Sequence, residues 1–286
     1  MPIVSMMEIL EDAKKGGYAV GCFNCIDLAT ARGVLDAAVD ENAPVILCHA
    51  QVHFKYSPLE SVAPIMQSEA SRARTAVALM LDHGEDFETA VRAMFCGVNA
   101  VMYDGSKLTY EENIRRTREV VNVAHAIDVA VEGEIGRIVR PVDAGADGHD
   151  DSSLVDDESL YTDPDEAADY VEKTGVDALA CAFGTVHGVY RKAPRLDFDR
   201  LAAIALKAKA PIVMHGGSGL TEADVKEAIR NGVRKINYYT NMALYAGRRL
   251  KELLNSCEEP FYHNVTVWAR EAIYEDARKA IRLFRN

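Results

Sequence analysis

Three histidines, His83, His187 and His215, each follow a short apolar run, so imidazoles from three separate chain positions could converge on one ion. Neutral imidazoles hold Zn²⁺ well, and three of them leave a fourth coordination position open, which is the catalytic arrangement. Their spacing matches no local zinc motif, so the chemistry requires a fold that gathers them. Asp82 adjoins His83 and could orient it or move protons as a general acid/base. Glu134 could ligate a second cation or pair with a buried Arg, and Asp104 carries the same two readings. Directly after His215 stands Gly216-Gly217-Ser218-Gly219, with Thr221 near the start of a helix and Asn237 ending a later strand. Glycines let backbone N–H groups approach an anion and the Ser hydroxyl adds a donor, so this run is a candidate phosphate cradle. A tight turn is the simpler alternative.

The elements that must position these residues follow from periodicity. Short apolar, often β-branched runs predict strands near Ala19–Asn24, Pro44–His49, Ala76–Asp82, Val98–Tyr103, Asp128–Glu134, Val176–Phe183, Pro211–His215 and Arg234–Asn237. Amphipathic segments separate them, with a capping box at Thr221-x-x-Asp224 and helix-ending glycines at Gly97, Gly175 and Gly232. A further helix over Met6–Lys15 precedes the first strand, and helices over Asn241–Leu254 and Val267–Phe284 complete the chain. Eight strands alternating with helices predict an α/β fold, a (β/α)8 barrel over residues 1–286 with an N-terminal capping helix and a C-terminal helical extension over 260–286. An open doubly wound sheet is the competing architecture, and the absence of G-x-G-x-x-G after the first strand disfavours it. In the barrel the residues that end each strand share one rim, and there Asn24, Asp82, His83, Asp104, Glu132, Glu134, His187, His215, Asn237 and Thr240 collect. Desolvating so many polar groups is costly unless they bind something.

Composition bounds the alternatives. The 286 residues include 32 Lys or Arg and 44 Asp or Glu, for a formal net charge of −12. Eleven of the acids and none of the bases lie between Asp143 and Asp169, leaving the rest of the chain nearly neutral. The acidity belongs to an insertion after strand five, an acidic loop over 141–163 that is either a lid over the site or a solvated decoration. No basic stripe with interleaved aromatics favours nucleic acid, and no apolar run is long enough to span a membrane. The opening residues lack a secretory signal, so a cytoplasmic protein with reduced thiols is expected. Cys22 and Cys25 form a C-x-x-C pair; redox or zinc chemistry is one reading, and small buried hydrophobes the favoured one.

Lined up, Leu81-Asp82-His83-Gly84, Tyr103-Asp104-Gly105-Ser106, Val131-Glu132-Gly133-Glu134-Ile135-Gly136, Gly184-Thr185-Val186-His187-Gly188, His215-Gly216-Gly217-Ser218-Gly219 and Lys235-Ile236-Asn237 resemble the class II, zinc-dependent fructose-bisphosphate aldolase family, nearest its tagatose-bisphosphate branch. The resemblance runs in order through essentially the whole chain. It implies cleavage of a ketose bisphosphate, of the fructose- or tagatose-1,6-bisphosphate type, to dihydroxyacetone phosphate and an aldehyde. It further implies Zn²⁺ on His83, His187 and His215, a second divalent position with Glu134 and Asp104, and Asp82 as proton donor. Gly188, Gly216, Gly217, Ser218, Asn237 and Thr240 would hold the dihydroxyacetone-phosphate half beside a monovalent cation (Na⁺ or K⁺). Asn24 would join the substrate contacts, and Arg270 would reach the far phosphate, from a partner subunit of a homodimer or homotetramer. No lysine stands at the end of strand six for Schiff-base chemistry; Lys235 lies within strand eight. The departures, at Asp27, His49-Ala50-Gln51-Val52, Lys107, Tyr238-Tyr239 and the segment after Arg137, fall where substrate is recognised rather than at the metal centre. The same chemistry on another ketose (a monophosphate, a deoxy-keto acid phosphate or a sulfonated sugar) is the first alternative. A metal-dependent isomerase or epimerase is the next, and a sugar-binding barrel the non-enzymatic one.

Overall fold

Every second residue of the strands points to one face of a sheet, and here the two faces meet two different cores. Val20, Cys22, Ile46, Cys48, Ala78, Met80, Ala100, Met102, Ala130, Ala178, Ala180 and Val213 form the inner one, and their neighbours Phe23, Leu47, Leu79, Val101, Val131, Leu179 and Ile236 pack outward under the helices. Such a pattern closes a sheet on itself. In the computed structural model, which describes residues 2–138, 157–188 and 193–286, eight parallel strands form a closed barrel in sequence order. They are β1 (Val20–Asn24), β2 (Val45–Ala50), β3 (Val77–Gly84), β4 (Ala100–Tyr103), β5 (Ala130–Ile135), β6 (Ala178–Cys181), β7 (Ile212–Met214) and β8 (Val233–Tyr238). The helices are α1 (Met6–Gly16), α2 (Leu28–Asp40), α3 (Leu59–Ala70), α4 (Phe87–Phe95), α5 (Tyr110–His125), α6 (Pro164–Thr174), α7 (Phe198–Ala208), α8 (Glu222–Arg230), α9 (Thr240–Ser256) and α10 (Tyr262–Arg285). This is the TIM-barrel fold.

Small residues fill the barrel because its interior is narrow, and α1 plugs the N-terminal mouth. Ser5 caps that helix by accepting from the Met7 N–H, and Met6, Ile9, Leu10 and Ala13 bury into the inner core. With the bottom sealed, the inward polar residues emerge only at the C-terminal rim. The capping box at Thr221 and Asp224 is present, and Gly97, Gly175 and Gly232 adopt positive φ after their helices. Cys22 and Cys25 are both buried, as small hydrophobes are.

Most boundaries differ from the sequence reading by one or two residues, and three of the differences are instructive. β5 begins two residues late because Asp128 is a left-handed turn residue with φ of +57°. β6 stops at Cys181, and the buried Phe183 belongs to the loop that follows. The last helix begins at Tyr262 rather than Val267, since its first turn is exposed and carries no apolar period. Of the acidic loop 141–163, residues 157–163 are described. They form a 3₁₀ turn over Glu158–Leu160, and the Thr162 hydroxyl donates to the Ile135 carbonyl at 2.7 Å, tying the segment to β5. The remainder of the loop, and with it the lid reading, lies outside the described residues, as does Arg140.

Candidate active site

Consecutive strand residues face opposite ways, so Asp82 and His83 should not share a site. They do, because the β3–β4 register shifts between Leu81 and Gly84 and His83 takes a φ of +48°. A non-glycine residue held there costs about 1–3 kcal/mol, and such strain gathers at functional sites. Here it turns two adjacent side chains into one cavity, with Asp82 Oδ1 4.0 Å from His83 Nε2.

His187 follows β6 and His215 follows β7. The ring centroids lie 4.9 Å apart for His83 and His187, 4.6 Å for His83 and His215, and 5.6 Å for His187 and His215. His83 Nδ1 sits 2.9 Å from Asp104 Oδ2, so it carries the proton and Nε2 keeps its lone pair. By the same logic His215 Nε2, 2.8 Å from Glu132 Oε1, donates and leaves Nδ1 as the free donor atom. His83 Nε2 and His187 Nε2 are 3.1 Å apart. Two imidazole nitrogens on a tetrahedral zinc lie about 3.3 Å apart, given bonds of about 2.0–2.1 Å, so the donor set fits that ion. Ligand atoms of the three histidines lie within 4.8 Å of one another, as do those of His83, Asp104 and Glu134, which form a second candidate group.

Burial, with His83 close by, pushes His215 well below the ordinary imidazole pKa and keeps it neutral, the form that binds metals. Burial lowers His49 likewise, against the pull of the Ser57 and Cys25 carbonyls. Both groups therefore take up a proton less readily when folded than when unfolded, where an imidazole titrates near pH 6.5. Stability therefore rises with pH across that window. On acidification from pH 6.5 to 5.5 the metal-free chain should lose up to about 1 kcal/mol per buried histidine. Urea unfolding at the two values checks this, and His215→Ala should remove the larger share of the slope, because its shift is the greater.

Asp82 is gripped from both sides. Asn24 Nδ2 donates to Oδ2 at 3.3 Å and Asn237 Nδ2 donates to Oδ1 at 2.8 Å. Neither amide is free to flip: Asn24 Oδ1 accepts from the Ala50 N–H at 3.2 Å and faces His53 Nδ1 at 3.1 Å, while Asn237 Oδ1 accepts from Lys235 Nζ at 2.6 Å.

Asn24, Asp82, Gly188, Gly216, Gly217, Ser218, Asn237 and Thr240 line one small cavity. Thr240 opens α9, whose N-cap residue makes no side-chain cap, so that helix end presents its positive pole to this cavity. Ser218 Oγ lies 3.4 Å from the Asn241 N–H and joins that helix end to the glycine run. Gly216 has φ of +70°, and a Cβ there would stand 2.3 Å from the Val186 carbonyl oxygen. Gly216→Ala should lower stability by about 2–4 kcal/mol, from left-handed strain plus the clash, read as a fall in Tm.

Arg270 is the sequence-derived site residue that the fold brings neither to this cavity nor to the clusters of ligand atoms. It lies on α10 and pairs with Asp36 of α2 at 2.6 Å. The reading also left three participants without a role. Glu132 and Lys235 had a signal, charged residues at inward-facing positions of otherwise apolar strands. His53 had none; it lies in a short 3₁₀ turn after β2, its ring 4.5 Å from that of Tyr239. Among the described residues no helix is long and apolar enough to cross a membrane.

Comparison with known proteins places the chain in a family. The family profile of class II fructose-bisphosphate aldolase matches residues 4–286. Fructose-bisphosphate aldolases of Staphylococcus aureus and Staphylococcus epidermidis are each 37% identical over 288 residues, covering 99% of this chain and 98% of theirs. The crystal structure of the YdjI aldolase from Escherichia coli K12 superposes with a TM-score of 0.86 at 34% identity, over 99% of this chain and 97% of that one. A fructose-bisphosphate aldolase from Campylobacter jejuni, 23% identical, shares the fold with a TM-score of 0.81 over 99% of this chain and 95% of its own. With its profile matched from residue 4 to residue 286, the chain belongs to the class II fructose-bisphosphate aldolase family and is an aldolase, a carbon–carbon lyase.

Proposed function

We propose that this aldolase catalyses reversible, zinc-dependent cleavage of a ketose bisphosphate of the fructose- or tagatose-1,6-bisphosphate type to dihydroxyacetone phosphate and an aldehyde. The observation that carries the reading is Asp82, held by two locked amides 4.0 Å from one of three clustered imidazoles. His83, His187 and His215 hold the ion. When bound, zinc supplies Lewis-acid stabilisation of the charge that develops as the carbon–carbon bond breaks. Asp82 takes the proton of the C4 hydroxyl during cleavage and returns it during condensation. Gly188, Gly216, Gly217, Ser218 and Thr240 cradle the phosphate of the dihydroxyacetone half, and Asn24 and Asn237 orient Asp82 while facing the sugar. Glu134 and Asp104 would be associated with a second divalent position, and a monovalent cation would accompany the phosphate.

Arg270 serves a far phosphate only from a neighbouring copy in a homodimer or homotetramer, because in its own chain it stands at neither the glycine-lined cavity nor the imidazole cluster and pairs with Asp36. That pairing, with His53 and Tyr239 at the rim, favours one second reading: the same cleavage with an aldehyde half of different chemistry. Incubating the zinc-loaded protein with fructose- and tagatose-1,6-bisphosphate, and assaying dihydroxyacetone phosphate enzymatically, separates the two. Release from either substrate that chelation abolishes supports the proposal. Release from neither, with zinc bound, overturns the bisphosphate assignment.

A further inference from the structure

The barrel interior beneath the site holds a lysine that the proposed chemistry does not use. Lys235 and Glu132 are both fully buried, among Ala, Cys and Met side chains that pack without them. Burying an ion pair costs several kcal/mol per ion before attraction repays it, and apolar residues often do as well. A pair kept in such a place calls for a role other than stability.

Its connections supply one. Lys235 Nζ lies 2.8 Å from Glu132 Oε2 and donates to Asn237 Oδ1 at 2.6 Å. The other Glu132 oxygen, Oε1, receives His215 Nε2 at 2.8 Å. Beyond the lysine, Asn237 Nδ2 reaches Asp82 Oδ1 at 2.8 Å. Burial works against the Lys235 ammonium, but the Cys22 sulfur and the Glu132 and Asp82 carboxylates around it keep it protonated. An ammonium is donor-only, so it admits only the carbonyl end of the Asn237 amide. The NH₂ end must then face Asp82.

The geometry points to Lys235 as a positioning residue that fixes the Asn237 amide and thereby aims Asp82, with Glu132 as the anion that holds both Lys235 and His215. This rests on the proposed role of Asp82 as carrier of the C4-hydroxyl proton. Lys235 forms no bond to substrate and transfers no proton.

The variant Glu132→Gln/Lys235→Met removes both charges together and keeps an acceptor for His215. In its crystal structure, which needs no substrate, Asn237 Nδ2 should no longer lie within hydrogen-bond reach of Asp82. Zinc affinity, measured by chelator competition, should fall by no more than about tenfold, the low end of the cost of altering a histidine's outer partner, because the His215 acceptor remains. Cleavage kcat should fall about 30- to 100-fold with little change in KM, the scale of a misplaced catalytic group. Deuterium exchange into dihydroxyacetone phosphate, which does not involve the C4 oxygen, should change less than about threefold if only Asp82 is misaimed. Adding Asn237→Ala to the double variant should cost nothing beyond Asn237→Ala alone, since both act through one amide. An unchanged Asn237–Asp82 contact overturns the proposal, and so does a cost that adds in full to that of Asn237→Ala. Should the parent enzyme cleave neither bisphosphate, the proposed substrate fails, and the crystallographic contact still decides the role of Lys235.

Discussion

Replacing His215 by Ala should abolish tight zinc binding and lower cleavage by about 10³-fold or more, since Lewis-acid stabilisation is worth several kcal/mol. Of the three histidines this is the one whose loss should be most complete. It is 1% exposed, its Nε2 proton is committed to Glu132 at 2.8 Å, and burial keeps it neutral. Its Nδ1 is therefore presented to the ion without further ordering. The fold should survive, because Glu132 keeps its 2.8 Å pairing with Lys235 and is not left as a lone buried charge. Metal analysis by mass spectrometry alongside a cleavage assay tests both halves. Stoichiometric zinc in a folded His215→Ala protein would contradict the three-histidine site.

Asp82→Asn should separate proton transfer from metal binding. The carboxylate accepts from two amides whose orientations are fixed from behind, by Lys235 on one side and by the Ala50 N–H and His53 on the other. An amide at position 82 offers one acceptor where two donors converge, and it is no base. Cleavage should fall about 10²- to 10⁴-fold, the usual contribution of a positioned acid/base. Zinc content should be unchanged, because Asp82 stands 4.0 Å from His83 Nε2 and belongs to neither cluster of ligand atoms. Deuterium exchange into dihydroxyacetone phosphate should persist, since the hydroxyl that Asp82 serves lies on the other product. Loss of exchange together with cleavage would move Asp82 into the enolising machinery.

How much of this could be read from residues alone differs by level. The barrel was legible because strands buried on both faces read as near-continuous apolar runs, and because their polar residues all fall at one end. Asp82, His83, His187 and His215 were legible for the same reason. What periodicity cannot encode is a break in alternation: the register shift and the φ of +48° at His83 put two adjacent side chains into one cavity. Nor does it encode the reach of an exposed helix residue. Arg270 reads as a phosphate contact, yet within its own chain it pairs with Asp36, a partner 234 positions away. His53 had no regular element to place it, and its contact with Asn24 depends on the 3₁₀ turn after β2. Lys235 was visible as a charge in an apolar strand with Asn237 two residues on, but Glu132 lies on β5 and meets it only once the barrel closes.

Enolisation is the step that needs the ion and the phosphate cradle together, and it can be followed without knowing the aldehyde. The zinc-loaded protein and His187→Ala would each be incubated with dihydroxyacetone phosphate in deuterated water, and carbon-bound deuterium followed by NMR. The account predicts exchange in the wild type that disappears on chelation and in His187→Ala. No exchange in a protein with zinc confirmed bound would contradict it.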